Sequence, residues 1–273
     1  MSTGSHPRSP ARILARKAKG FLNSGAFRIL EAAAFSSWRA RVIVVFGMKR
    51  SGNHVFINWL LAQHPGPVVF YNHVHPQEIP YHRWKREWRV NDPLKPPAII
   101  FSYEDRDFDE TFAGPLQDFL SAHAGRIAEF RTCVVMRDPR NFFASRFKKW
   151  SEEYHDGDRT RRLIDMYKLY ARAFEGGGAL ARHGPVTCVR YNRLITSAEY
   201  RRELSAALGI RQGDRGLDEV PHYGHGSSFD GVALRNRAAD MDVFGRWRAY
   251  AEDPVFRRIM SDPEIAALDR ALS

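Results

Sequence analysis

The chain has 273 residues, of which 44% are hydrophobic and 12% aromatic, so it is long enough for a sizeable core and too apolar for an intrinsically disordered protein. Its formal net charge is +11. No apolar run approaches the roughly 20 residues that span a bilayer, and no secretory signal sequence is recognisable. The two cysteines, Cys133 and Cys188, lie in apolar stretches. They predict buried thiols in a reducing compartment rather than a disulfide framework or a metal site.

Residues 1–40 are predicted to form a basic tail and a helix in front of a single domain, 41–273. Up to position 41 there are eight Lys or Arg residues and one acid, a net charge of +7. Residues 11–38 have a helical composition, and one hypothesis is a basic amphipathic helix lying on an anionic membrane surface. A solvated helix that packs loosely on the domain and a transit peptide are the alternatives. Because the cysteines indicate a reducing compartment, we expect a cytoplasmic protein. If the first hypothesis for residues 11–38 holds, it also contacts the membrane peripherally.

Short apolar stretches alternate with helical patterns along the rest of the chain. The predicted strands are 41–46, 68–71, 98–102, 132–136 and 186–190. The predicted helices are 53–63, 110–129, 139–150, 160–182, 198–208 and two stretches after 231. Residues 77–96 are polar, aromatic and basic, which predicts a surface excursion or lid, and residues 211–231 predict a loop. Because strands that are apolar on both faces alternate with helices, we expect an α/β fold with a parallel sheet of about five strands.

A glycine-punctuated loop follows the first predicted strand and leads into a helix. It runs Gly47-Met-Lys-Arg-Ser-Gly52. A strand, a glycine loop and a helix N-terminus in this order form an anion cradle, and Lys49 and Arg50 add two cations. The spacing of the glycines fits the first half of a Walker A loop, but Asn53-His54 stands where Lys and Ser/Thr are needed. This departure argues against a kinase or NTPase.

A second motif, Arg137-Asp-Pro-Arg-Asn-Phe-Phe-Ala-Ser145, follows the strand that ends at Met136. It places an arginine at a strand end and a serine two turns into the next helix, where both can converge on one phosphate. Together with Arg50-Ser-Gly52, the motif resembles the sulfotransferases that use 3′-phosphoadenylyl sulfate (PAPS). Weaker matches are Val189-Arg-Tyr-Asn-Arg-Leu194 and Gly226-Ser-Ser-Phe followed by Arg246-Trp247. The resemblance covers roughly residues 41–250.

The resemblance implies a P-loop NTPase-like sulfotransferase fold and transfer of the sulfuryl group of PAPS to a hydroxyl or amine, with no metal. The first loop would hold the 5′-phosphosulfate through Lys49, Arg50, Ser51, Gly52, Asn53 and His54. Arg137 and Ser145 would hold the 3′-phosphate, with Tyr191, Ser227 and Ser228 as further cofactor contacts. The family usually has a proline before its loop cation and two hydroxyl residues after the glycine, so Lys49 and Asn53-His54 depart from its pattern.

In-line sulfuryl transfer requires a cation near the leaving group and a general base near the acceptor. Arg50 is the predicted catalytic cation. His73, after the second strand, and Glu104, at the end of the third, are the candidate bases. His75 is a further alternative.

A carbohydrate and a lipid are the two candidate classes of acceptor. Two other functions stay open. One is a non-catalytic nucleotide- or nucleic-acid-binding protein that uses the basic segment and the stretch 77–96. No known nucleic-acid-binding motif is present, so we expect no nucleic-acid partner. The other is a P-loop kinase with a degenerate loop.

Overall fold

The structure is a computed structural model, and the secondary structure and contacts given below are those of the residues that it describes. These are 39–77, 86–89, 91–151, 154, 156–176, 178–218, 229 and 241–273. The predictions for residues 11–38 and for Ser227 and Ser228 lie outside the described residues.

Six strands form one sheet in the order β3-β2-β4-β1-β5-β6. They are β1 (Ala40–Gly47), β2 (Val68–Tyr71), β3 (Arg86–Arg89), β4 (Ala98–Glu104), β5 (Ile127–Met136) and β6 (Val186–Arg190). Five strands are parallel, and β3 pairs antiparallel with β2 at one edge. The predicted α/β fold with about five parallel strands is confirmed. The prediction for 77–96 as an excursion outside the core elements is wrong at 86–89, because an edge strand can be polar and short.

Around the sheet lie nine α-helices whose complete length falls within the described residues. They are α1 (Asn53–Gln63), α2 (Phe108–Phe112), α3 (Pro115–Ala122), α4 (Pro139–Lys149), α5 (Gly157–Gly176), α6 (Tyr191–Thr196), α7 (Ala198–Leu208), α8 (Pro254–Met260) and α9 (Pro263–Leu272). Short 3₁₀ helices lie at Ala124–Arg126, Gly178–His183 and Arg246–Tyr250. In the described part of the chain, no helix has the length and apolar character to cross a membrane.

Two predicted helices differ from the observed ones. The stretch 110–129 contains two helices instead of one, because Pro115 starts a new helix after Gly114. Its last residues already belong to β5, whose first half is only partly buried and therefore lacks a continuous apolar run. The helix predicted for 160–182 ends at Gly176, and a 3₁₀ helix follows it.

The side chains of β1 alternate between two hydrophobic cores, as expected for a central strand. Val42, Val44 and Phe46 face one core, which α2–α5, α8 and α9 cover. Ile43 and Val45 face the other, which α1, α6 and α7 cover. The sheet is therefore buried on both faces between helical layers. Of the two cysteines, Cys133 on β5 is fully buried and Cys188 on β6 is partly buried.

The carboxyl ends of the central strands meet at one edge of the sheet. Gly47, the last residue of β1, lies between Glu104 of β4 and Val135 of β5 in the strand register. The chain leaves β1 toward β2 on one side, while β5 lies on the other side. Ligands of open α/β sheets bind at such a carboxyl edge, where the direction of strand addition reverses.

Candidate functional site

The loop after β1 is a tight turn with strained backbone. Ser51 N–H donates to the Met48 carbonyl at 3.0 Å and closes the turn. Arg50 has a φ of 77° and Gly52 a φ of 93°. Gly52 gives α1 no side-chain cap. A helix N-terminus without a cap directs its first N–H groups toward an external acceptor, so this loop has the backbone geometry of an anion cradle.

Ser51 and Asn53 turn their side chains into the loop. Ser51 Oγ donates to Asn53 Oδ1 at 2.9 Å, and Asn53 Nδ2 donates to the Met48 carbonyl and to Glu104 Oε1, both at 3.2 Å. A Cβ on Gly47 would lie 1.8 Å from Asn53 Oδ1, so a glycine is needed beneath this amide. The Asn53 side chain thus links the loop to the end of β4.

A second cationic position lies at the start of α4. Arg137 Nη1 and Arg246 Nη1 lie 3.2 and 3.4 Å from Ser145 Oγ, so two guanidinium groups converge on one hydroxyl. Arg137 is 2% exposed and Arg246 is 8% exposed. Tyr167 holds the backbone here, because its hydroxyl donates to the Arg137 carbonyl at 2.6 Å. Two arginines and a serine oriented in this way can bind a phosphate through several charged hydrogen bonds.

Tyr191 connects the two cationic positions. A Cβ on Gly52 would lie 2.0 Å from Tyr191 Cδ2, so the ring packs directly on the end of the first loop. The Arg137 guanidinium lies 5.1 Å from the centroid of the same ring. One buried aromatic side chain therefore separates the first loop from Arg137.

The pKa of Arg50 responds to the charges of Arg137 and Arg246. Burial, together with repulsion from Arg246 and Arg137, lowers its pKa to about 10. Glu104 and Tyr191 oppose this shift only in part. Arg50, which is half-buried, and the buried Arg137 and Arg246 therefore form a cluster of like charge, which we call the arginine cluster. Such a cluster strongly favours a bound anion that carries more than one negative charge.

Lys49 belongs to a different set of contacts. Its Nζ lies 3.6 Å from Asp105 Oδ2 and 6.0 Å from the centroid of the Trp150 ring. Arg146 pairs with the same carboxylate at 2.8 Å and lies 4.8 Å from the same ring centroid. The side chain of Lys49 is thus bound beside the cradle. Asp105, Arg146 and Trp150 were not among the predicted site residues.

Glu104 is the centre of a polar cluster beside the cradle. His73 Nδ1 lies 3.4 Å from its Oε2, and His54 Nε2 lies 3.9 Å from its Oε1. His54 Nε2 also lies 3.2 Å from Asn72 Oδ1. Burial alone would raise the pKa of Glu104, but His73, His54 and Asn53 together lower it to about 2. Glu104 is therefore ionised at neutral pH and is a weak base.

Backbone strain is concentrated at this edge of the sheet. In the described part of the chain, the non-glycine residues with positive φ are Arg50, His73 and Asp105, with φ values of 77°, 54° and 54°. They follow β1, β2 and β4 respectively. Left-handed backbone at non-glycine residues persists only where the surroundings enforce it, and it clusters at functional sites.

The predicted site residues are thus partly brought together. Arg50, Ser51, Gly52 and Asn53 lie in the cradle, and Arg137, Ser145 and Tyr191 surround the second position. His73, Glu104 and His54 form the polar cluster. His75 makes a local contact instead, since its Nδ1 accepts from Gln77 N–H at 3.5 Å.

Comparisons with known proteins find a distant structural neighbour and no relative by sequence. No family model matches the chain, and no curated protein matches it. Among solved structures, a crystal structure of the mouse sulfotransferase SULT7A1 complexed with PAP matches with 12% identity and a TM-score of 0.42. The alignment covers 88% of this chain and 92% of that chain. Because this similarity is low, the functional assignment rests on the contacts of the chain itself.

The arginine cluster predicts that the ligand-free protein is destabilised by its own site. Replacing Arg50 with Met removes a charge whose pKa is lowered by burial and repulsion, while the side chain keeps its length. We expect Arg50→Met to raise the free energy of unfolding without ligand by roughly 1–3 kcal/mol, measured by urea denaturation. Arg161→Met, on an exposed side chain of α5, is the control. A loss of stability in Arg50→Met would contradict the description of the cluster.

Proposed function

We propose that this chain is a PAPS-dependent sulfotransferase that transfers a sulfuryl group to a hydroxyl or amine of an acceptor. The observation that carries the proposal is the pair of arginines on Ser145, placed one tyrosine ring away from the cradle after β1. PAPS carries a phosphosulfate on its 5′ side and a phosphate on its 3′ side. The arrangement of the site matches these two anions.

The composition of the cradle supports PAPS over ATP. A Walker loop needs a lysine for the β- and γ-phosphates and a hydroxyl for Mg²⁺. Here Asn53 is directed into the loop toward Met48 and Glu104, and His54 lies beside Asn72. The cations instead come from Arg50 and from the separate position at Arg137 and Arg246. A nucleotide with phosphates on two sides of its ribose uses all three.

The polar cluster supplies the remaining chemistry. The acceptor hydroxyl loses its proton as its oxygen attacks sulfur, and the bond from sulfur to the bridging phosphate oxygen breaks in line. The bisphosphate leaves with that electron pair, and Arg50 stabilises the charge that develops on it. His73 Nδ1 faces the ionised Glu104, which leaves Nε2 to accept the proton of the acceptor. We therefore assign His73 as the base and Glu104 as the residue that orients it.

The acceptor is proposed only as a class. A hydroxyl of a carbohydrate or a lipid fits the reaction. Of the residues expected to contact the acceptor, in 77–96 and 211–231, about half lie outside the described part of the chain.

The first prediction of this assignment concerns the 3′-phosphate. Arg137→Lys and Arg246→Lys should each weaken binding of adenosine 3′,5′-bisphosphate by about 10- to 100-fold, because charged hydrogen bonds are lost. Binding of adenosine 5′-monophosphate should change by less than about threefold. Both affinities are measured by titration calorimetry at one fixed salt concentration.

Arg161→Lys is the matched control, because it makes the same change on an exposed side chain of α5. Equal losses for the two nucleotides in the cluster variants would contradict a distinct 3′-phosphate position. Tight binding of ATP with Mg²⁺, without binding of the bisphosphate, would favour a degenerate kinase instead.

The second prediction concerns the base. His73→Gln should lower kcat for sulfuryl transfer from PAPS by about 10²- to 10⁴-fold, because a positioned base contributes a factor of that size. Affinity for adenosine 3′,5′-bisphosphate should stay within about threefold of the wild-type value. The measurement uses radiolabelled PAPS with extracted glycans and lipids as acceptors. His75→Gln serves as the neighbouring control and should keep its activity, and a reversed pattern would rule out His73 as the base.

A further inference from the structure

We propose that Asp105 and Arg146 form a positioning pair that holds the peptide between Lys49 and Arg50 in the orientation that the anion cradle needs. Neither residue is assigned a contact with the ligand. Both act on the backbone of the loop after β1. The consequence for catalysis rests on the proposed sulfotransferase function, whereas the consequence for the backbone does not.

The turn that contains Arg50 is the starting observation. Residues 48–51 form a four-residue turn closed by the Ser51–Met48 hydrogen bond, with Arg50 as its third residue. A φ of 77° at this place corresponds to a type II turn, whose third residue is usually Gly or Asn. An arginine there would ordinarily adopt a type I turn with negative φ. The two types differ mainly by a flip of the central peptide, here the one between Lys49 and Arg50.

Asp105 and Arg146 contact Lys49 on both sides of its Cα. Lys49 N–H donates to Asp105 Oδ1 at 2.9 Å. Arg146 Nη1 donates to the Lys49 carbonyl at 3.4 Å, and that carbonyl belongs to the central peptide of the turn. The same Nη1 lies 3.0 and 2.8 Å from the two carboxylate oxygens of Asp105. Asp105 and Arg146 therefore bind each other and the backbone of the loop at the same time.

The orientation of this peptide determines what the cradle presents. In a trans peptide the C=O and N–H groups point in opposite directions. Because Arg146 holds the Lys49 carbonyl on its own side, the Arg50 N–H points to the opposite side. A charged hydrogen bond is among the stronger contacts that can hold a left-handed arginine against its backbone preference.

The buried position of the pair agrees with this role. The Arg146 side chain is 8% exposed and that of Asp105 is 13% exposed. Asp105 itself has left-handed backbone, and its N–H donates to the Gly47 carbonyl at 3.3 Å. The pair thus links the end of β1, the end of β4 and the start of the cradle.

The decisive test is a crystal structure of Arg146→Met compared with that of the wild-type chain. We expect the Lys49–Arg50 peptide to flip and the φ of Arg50 to become negative in the variant. A positive φ in the variant would overturn the proposal. Arg146→Met leaves the Asp105 carboxylate without its main partner. The double variant Asp105→Asn with Arg146→Met removes both charges, and we expect the same peptide flip in its crystal structure.

Binding measurements separate positioning from a general loss of structure. In Arg146→Met, affinity for adenosine 5′-monophosphate should fall at least about tenfold, while affinity for adenosine 3′-monophosphate should stay within about threefold. Asp105→Asn should lose less affinity for adenosine 5′-monophosphate than Arg146→Met does. The amide oxygen of Asn can still accept from Lys49 N–H, and Asn tolerates positive φ. Arg161→Met is the control. Equal losses for both nucleotides, or a flip without loss of affinity, would overturn the positioning role.

The two proposals can fail separately. If the wild-type chain binds neither adenosine 5′-monophosphate nor adenosine 3′,5′-bisphosphate, the proposed function is wrong. The comparison of the Arg50 backbone in the two crystal structures still decides whether Asp105 and Arg146 hold the peptide.

Discussion

The desolvation and mutual repulsion of three neighbouring arginines are the constraint on which the rest of the site depends. Arg50, Arg137 and Arg246 come from three distant parts of the chain, and burial adds to the cost of holding their charges together. Such a site lowers the stability of the ligand-free protein and favours binding of a polyanion. This is the usual compromise between stability and function.

The fold provides the means to hold this cluster. Because β1, β4 and β5 are parallel neighbours, their carboxyl ends place the cradle, the polar cluster and Arg137 at one edge. Tyr191, after β6, packs between the cradle and Arg137. The left-handed residues after β1, β2 and β4 lie at this same edge, so the backbone strain of the described chain coincides with its buried charge.

The sequence predicted the strands and helices of the protein better than the side-chain contacts. The strands at 68–71 and 186–190 and the helix at 53–63 have the predicted bounds, because apolar runs and glycine or proline breaks mark them clearly. The edge strand at 86–89 was missed, because it has no apolar run. The inward direction of Asn53 and the contacts of Asp105 with Lys49 and Arg146 depend on strand register and loop conformation. No local pattern encodes these, although Asp105 and Arg146 directly follow the predicted residues Glu104 and Ser145.

A crystal structure of the wild-type chain with adenosine 3′,5′-bisphosphate would show whether the two anion positions bind the two phosphates. We expect the 5′-phosphate in the loop at 48–52, within hydrogen-bond distance of Arg50. We expect the 3′-phosphate within hydrogen-bond distance of Arg137, Ser145 and Arg246. A bisphosphate with both phosphates at one position, or bound away from the arginine cluster, would contradict the account.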